Sequence, residues 1–201
     1  EGMFRYAPVV CAGPLLVKEL DALHRSFQAP ARPLIAIVGG SKVSTKLMAL
    51  DFLTGIVDHL IIGGGIANTF IAASGYSIGK SMHEGDLIPE ARRLLKDAKK
   101  NNKNIPLPID VVVAKSCTAE ASTMVKSLET VEDDELILDI GPRTVASYSE
   151  LILEAGTIVW NGPIGVFEIP AFSVGTQALA SAVGSSRAFS IVGGGDTLAA
   201  V

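Results

Sequence analysis

The sequence predicts an α/β fold built on a parallel sheet, and three observations carry that prediction. Short apolar runs alternate with helical patterns about six times along the 201 residues. Several of the runs are apolar without a break, as strands buried on both faces are. Most of them end in glycine, which makes up 20 of the 201 residues against a usual share of ~7%.

Residues 15–27 read as the first helix. The first strand is Leu34-Ile-Ala-Ile-Val38, closed by Gly39-Gly40, and residues 43–53 read as the helix that follows. His59-Leu-Ile-Ile62 ends in Gly63-Gly64-Gly65 and leads into a helical segment before Gly75. Leu87, Ala91, Leu94, Leu95 and Ala98 recur at three- and four-residue spacing among charged positions, with Pro89 suited to the first turn of that helix. Asp110-Val-Val-Val-Ala114 is a strand after the breaks at Pro106 and Pro108, and Leu136-Ile-Leu-Asp-Ile140 is another, ending at Gly141-Pro142. Residues 144–153 read as a helix. Thr157-Ile-Val-Trp160 ends at Asn161-Gly162-Pro163, residues 175–183 are helical, and Ala188-Phe-Ser-Ile-Val192 ends in Gly193-Gly194-Gly195. A last helix opens at Asp196. The expected architecture is one Rossmann-like three-layer domain over residues 1–201, a parallel six-stranded sheet between layers of helices.

Composition narrows the function classes. Seventeen basic against 21 acidic side chains give a net charge of −4, which speaks against a nucleic-acid partner. Hydrophobic residues make up 48%, charged ones 19%, and the mean hydropathy is +0.40, which excludes disorder. Residues 60–79 hold no charge, but Gly63, Gly64, Gly65, Asn68, Gly75 and Gly79 make a poor membrane span, so no membrane partner is expected. Cys11 and Cys117 lie far apart and read as reduced thiols of a cytoplasmic protein. The chain begins with Glu1 and stops inside a predicted helix, which reads as a fragment trimmed at both ends.

In an open parallel sheet, ligands sit beyond the carboxyl ends of the strands, where these glycines fall. A glycine-rich strand-to-helix turn lets an anion approach backbone N–H groups. Gly39-Gly-Ser-Lys42-Val-Ser-Thr-Lys46 follows a strand and opens a predicted helix, with Lys42 and Lys46 on one helical face. Two ammonium groups there oppose the helix dipole, which a polyphosphate would offset. Gly193-Gly194-Gly195-Asp196-Thr197 repeats the arrangement with a carboxylate; Asp196 reads as a simple N-cap or, beside a phosphate, as a carboxylate that needs Mg²⁺ to mediate. In Trp160-Asn-Gly-Pro-Ile-Gly-Val-Phe-Glu168, Glu168 offers an acceptor to ribose hydroxyls. Familiar signatures fail: GxGxxG would need glycine at Asn68 or at Leu198, and Gly75 to Ser81 is one residue short of a P-loop and is read as a loop with a solvated lysine. His24, His59 and His83 have no metal-ligand spacing and fit no catalytic triad.

Together these segments resemble the C-terminal, nucleotide-binding domain of the phosphoglycerate kinase family. The similarity runs through Ala12-Gly-Pro-Leu-Leu-Val-Lys-Glu-Leu20, GGSKVSTK from Gly39, GGGIANTF from Gly63, Leu138-Asp-Ile-Gly141, WNGPIGVFE from Trp160, and residues 189–197. The resemblance implies that Lys42 stabilises the phosphoryl group in flight and that Lys46 and Asn161 meet nucleotide phosphates. It implies an adenine slot at Gly63 and Gly64, ribose bound by Glu168, and Mg²⁺ held by Asp196. Gly194, Gly195 and Thr197 would offer donors to the transferring group, with Lys42, Gly194 and Gly195 as the catalytic set. The implied reaction is phosphoryl transfer between 1,3-bisphosphoglycerate and ADP, giving 3-phosphoglycerate and ATP, in glycolysis. The phosphoglycerate would bind through an N-terminal domain absent from this chain, from which the first helix leads in. A monomer, inactive by itself, is expected. The rival reading is a dinucleotide-binding oxidoreductase domain.

Overall fold

The computed structural model describes residues 6, 8–11 and 13–200; Glu1 and Ala12, used in the sequence reading, lie outside them. β1 (Leu34–Val38) is buried along its whole length. Strand geometry sends alternate side chains to opposite faces, so Leu34, Ala36 and Val38 enter one core and Ile35 and Ile37 the other. β1 lies in a four-stranded parallel sheet with β2 (His59–Ile62), β6 (Thr157–Asn161) and β7 (Phe189–Gly193), in the order β2-β1-β6-β7. The register sets Val38 opposite both Ile62 and Asn161, and Asn161 opposite Gly193. All four strands therefore end together, and their glycine turns meet at one edge.

Helices cover both faces of this sheet. On the Leu34 side lie α2 (Leu47–Ile56), α3 (Gly64–Ala73) and α4 (Ile88–Lys100), which contribute Leu50, Leu53, Ile66, Phe70, Ala91 and Leu94 to the core. On the Ile35 side lie α5 (Pro142–Glu154) and α6 (Val174–Ser185), with Tyr148, Ile152, Leu179 and Ala182. α1 (Pro14–Gln28) runs against β6 and β7, and α7 (Gly195–Ala200) follows β7. No helix among the described residues is long and apolar enough to cross a membrane.

The parallel sheet has four strands where the sequence predicts six. β3 (Asp110–Ala114) and β5 (Leu136–Ile140) form where expected, but they pair antiparallel in a second sheet of order β4-β3-β5. The added member is β4 (Met124–Ser127), which is too exposed and polar to stand out in the sequence. A parallel return needs a crossover of roughly a dozen or more residues, usually a helix. The stretch between β3 and β5 holds only β4 and one short 3-10 turn, Leu128–Thr130, so the chain doubles back.

A long-range contact ties α5, which packs on the parallel sheet, to the antiparallel one. α5 begins after Gly141, which has no side chain to cap it. The cap comes instead from β3, where Asp110 accepts hydrogen bonds from Arg143 N at 3.1 Å and Thr144 N at 2.8 Å. Thr144 Oγ1 in turn accepts from Ile109 N and Asp110 N at 2.9 and 3.0 Å.

Candidate functional site

Backbone, rather than side chains, forms the edge where the parallel strands end. Gly39 N donates to Asn161 O at 2.9 Å, Gly63 N to Val38 O at 3.0 Å, and Gly64 N to Ile164 O at 2.8 Å. A Cβ at Gly39 would overlap the carbonyl group of Pro163. Gly64 adopts φ +65°, and a Cβ there would stand 2.6 Å from Gly40 O. Space excludes a side chain at both positions, and conformation excludes one at Gly64 as well, so bare peptide forms a shelf at the start of α3.

A cavity of about 600 Å³ opens beside this shelf, between the parallel sheet and the antiparallel one. Gly40 and Gly63 to Gly65 line one side, Leu136 to Ile140 another, and Pro163 to Glu168 a third, with Asp196 at the border. The walls are mostly apolar, with few polar groups, as binding sites for flat organic ligands are. Val166 N donates to Leu138 O at 2.9 Å, tying the third wall to the second.

Asp139 sits within this wall and is only 3% exposed. Its Oδ2 accepts from Gly175 N at 2.7 Å and its Oδ1 from Ile140 N at 2.9 Å. Burial pushes its carboxyl up to about 7, even though those two hydrogen bonds favour the charged form.

A second group of side chains lies at the same sheet edge. Lys46 Nζ donates to Gly39 O at 2.7 Å and to Asn161 Oδ1 at 2.6 Å, with Asn161 O farther off at 3.3 Å. Burial lowers the pKa of Lys46, and the nearby Asp196 charge offsets part of that effect. Asn161 Nδ2 donates to Gly193 O at 2.8 Å. Thr197 is fully buried; its Oγ1 accepts from Gly162 N at 2.7 Å and donates to Gly193 O at 2.9 Å.

The structure thus brings Gly63, Gly64, Glu168 and Asp196 to one cavity, and Lys46, Asn161, Gly194 and Thr197 to one cluster beside it. Gly195 opens α7. Lys42 stands apart, exposed on the bend before α2 and outside the cavity wall. Among the described residues no group of three or more His, Cys, Asp or Glu side chains could hold a metal ion.

Sequence reasoning missed Gly40, Ser41, Asn68, Asp139 and the segment from Lys80 to Met82, all of which line the cavity. Gly75 to Ser81 is a loop with Lys80 exposed, as the sequence suggests, but it is also stitched to β5, where buried Ser81 Oγ accepts from Ile137 N at 2.8 Å. Met82 is 64% exposed and gives no local sign of a buried neighbour, and the partner strand of Ser81 lies 56 residues away. The Leu138-Asp139 pair was visible in the sequence, yet nothing local marks its carboxylate as enclosed.

Comparison with known proteins follows the same outline. The family model described as phosphoglycerate kinase matches residues 1–201. A solved phosphoglycerate kinase from Coxiella burnetii is similar at 56% identity and a TM-score of 0.92, covering 97% of this chain and 50% of that one. One from Pyrococcus horikoshii OT3 is similar at 30% identity and a TM-score of 0.79, covering 94% of this chain and 48% of that one. The chain spans about half the length of these solved structures.

Proposed function

The chain belongs to the phosphoglycerate kinase family, and from that premise we propose that it carries the nucleotide half of a glycolytic phosphoryl transfer. The reaction is transfer between 1,3-bisphosphoglycerate and ADP, giving 3-phosphoglycerate and ATP. The observation that carries the reading is the apolar cavity of about 600 Å³ that opens on a peptide shelf at the ends of parallel strands. An aromatic base fits between the flat shelf at Gly63 and Gly64 and the apolar wall from Leu136 to Leu138. Glu168, at the cavity border, accepts from ribose hydroxyls.

The phosphates then run toward Lys46, Asn161 and Asp196. An ammonium group has three donors, and Lys46 spends its two short hydrogen bonds on Gly39 O and Asn161 Oδ1. The third is free to leave the distant Asn161 O for a phosphate oxygen. Gly194 and Gly195 offer backbone N–H groups on the same side, while Lys42 stabilises the charge of the transferring group. Thr197 contributes through the Gly162 and Gly193 backbone that it ties together. Asp196 is a single exposed carboxylate at the cavity border, a donor set that suits Mg²⁺ shared with phosphate oxygens. Bound there, the ion would neutralise phosphate charge.

Recognition of phosphoglycerate needs a basic surface. Arg32, Arg92, Arg93, Arg143 and Arg187 are all absent from the cavity wall. Arg32 pairs with Asp58, and Arg93 with Glu90, Asp51 and Asp97. The chain alone is therefore expected to bind nucleotide in the cytoplasm without turning over phosphoglycerate.

Thermal melting with Mg·ADP tests the reading. At a hundredfold excess over Kd, native-state binding adds about 2.7 kcal/mol. Asp196→Asn should remove the part that depends on Mg²⁺. No shift with ADP, together with one on adding a nicotinamide dinucleotide, would overturn the proposal in favour of an oxidoreductase domain. Turnover in a coupled ATP assay near that of an intact kinase would overturn the claim that the chain alone is inactive.

A further inference from the structure

Glu84 lies outside the cavity wall, yet it links two parts of the site. The segment from Met82 to Glu84 is anchored to α3 at two consecutive residues. Asn68 Nδ2 donates to Met82 O at 3.0 Å, and Glu84 N donates to Thr69 Oγ1 at 3.1 Å. From this anchored position the Glu84 carboxylate reaches across to the segment before α2. Ser44 N donates to Glu84 Oε2 at 2.8 Å, and Ser44 Oγ donates to Glu84 Oε1 at 2.6 Å. Both carboxylate oxygens thus grip one residue, and that residue stands two positions after Lys42.

The grip accounts for a local departure from the sequence pattern. Residues 43–53 read as helix, but α2 starts only at Leu47, and residues 44–46 form a turn. Within it Lys46 N donates to Val43 O at 2.9 Å and Thr45 Oγ1 to Lys42 O at 2.9 Å. The Ser44 amide, which sits near a helix start and needs an acceptor, finds it in Glu84 rather than in a residue of its own segment. The Ser44 hydrogen bonds hold the Glu84 carboxyl below its ordinary value, as expected of a carboxylate committed to donors. The first residues of α3 are the peptide shelf at Gly64 and Gly65, so the connection runs from the shelf along α3 to Glu84 and Ser44.

We infer that Glu84 is a positioning residue, which sets the Lys42 segment relative to the nucleoside shelf by holding Ser44. The inference rests on the nucleotide-site reading above. Glu84 itself touches no part of the nucleotide. Lys46 also stands two positions from Ser44, but its ammonium is tied separately to Gly39 O and Asn161 Oδ1, so the base and first two phosphates keep their contacts while the terminal phosphate depends on where Lys42 stands.

Calorimetric titration of this chain with Mg·ADP and Mg·ATP tests the role, using wild type, Glu84→Gln and Ser44→Ala. Ser44→Ala keeps every charge and removes only one of the two bonds. Both variants should bind Mg·ADP within twofold of wild type and Mg·ATP at least fivefold more weakly. Amide exchange without nucleotide gives an independent reading: the Ser44 amide should exchange at least tenfold faster in Glu84→Gln, with α3 unchanged. Equal weakening of both nucleotides would make Glu84 a general structural contact and overturn the inference. Tighter Mg·ATP binding by Glu84→Gln with Ser44→Ala unchanged would overturn it too, since Glu84 would then act by charge alone. Variants that match wild type for both nucleotides would reject the role of Glu84 and leave the nucleotide site standing. A wild-type chain that binds neither nucleotide would overturn the site and the role together, whatever the exchange rates show.

Discussion

Asp139 shows how far a residue's chemistry depends on its enclosure. Its carboxyl is pushed up from 3.8 to about 7 by burial. The folded chain therefore holds this proton more tightly than the unfolded chain does. The contribution to stability is full below pH 4, and it is lost as pH rises through 7. A shift of that size corresponds to about 4 kcal/mol at most. Asp139→Asn has no proton to lose, so its stability should gain on wild type between pH 4 and 7.5. Urea midpoints of the two proteins across that range check the sign; a constant difference would show that Asp139 does not titrate there. The sequence displays Asp139 plainly in Leu138-Asp-Ile-Gly141. It does not display Gly175 N, 36 residues on, whose hydrogen bond helps keep the carboxylate in place. Lys42, Lys46, Glu168 and Asp196 were singled out in the sequence for the opposite reason, and of these Glu168 and Asp196 line the cavity while Lys42 stands apart from it. Charged groups beside glycine turns at strand ends stand out locally.

Among the elements, helices and strands formed nearly where periodicity placed them, because each one's own apolar pattern selects its local geometry. Pairing was another matter. β3 and β5 were legible as strands but not as neighbours, since strand pairing depends on the length and content of the connection between them. α5 presents the same contrast. Its apolar stripe with Tyr148 and Ile152 is local, while its cap is Asp110, from a strand more than 30 residues earlier. Removing that cap strands two amide donors in a buried place. Asp110→Ala should cost about 2 kcal/mol, read from urea unfolding. A loss under ~0.5 kcal/mol would mean that water replaces the carboxylate, as it does for weak peptide caps.

For the whole molecule, the two sheets share their supports. Ile140 of β5 joins Ile35, Ile37 and Trp160 in one core, and Asp110 of β3 caps α5. The chain should therefore unfold in a single step. Trp160 is the one tryptophan and is 1% exposed within the parallel sheet, so its emission reports that layer. Its urea transition should coincide with loss of far-UV dichroism, and an earlier dichroism change would show the antiparallel sheet opening by itself. The cavity lies between the same two sheets, so its size and walls belong to their mutual packing. The sequence by itself determined the α/β class, the parallel core strands, the glycine edge and the charged groups set along it. Each of these follows from neighbours within a few residues, where steric and hydrophobic preferences act directly. Only the tertiary structure decided that the sheet stops at four strands, that the segment from Lys80 to Met82 becomes a cavity wall, and that Asp139 is enclosed. Those outcomes depend on hydrogen bonds between residues tens of positions apart, whose meeting is fixed by the packing of the whole chain.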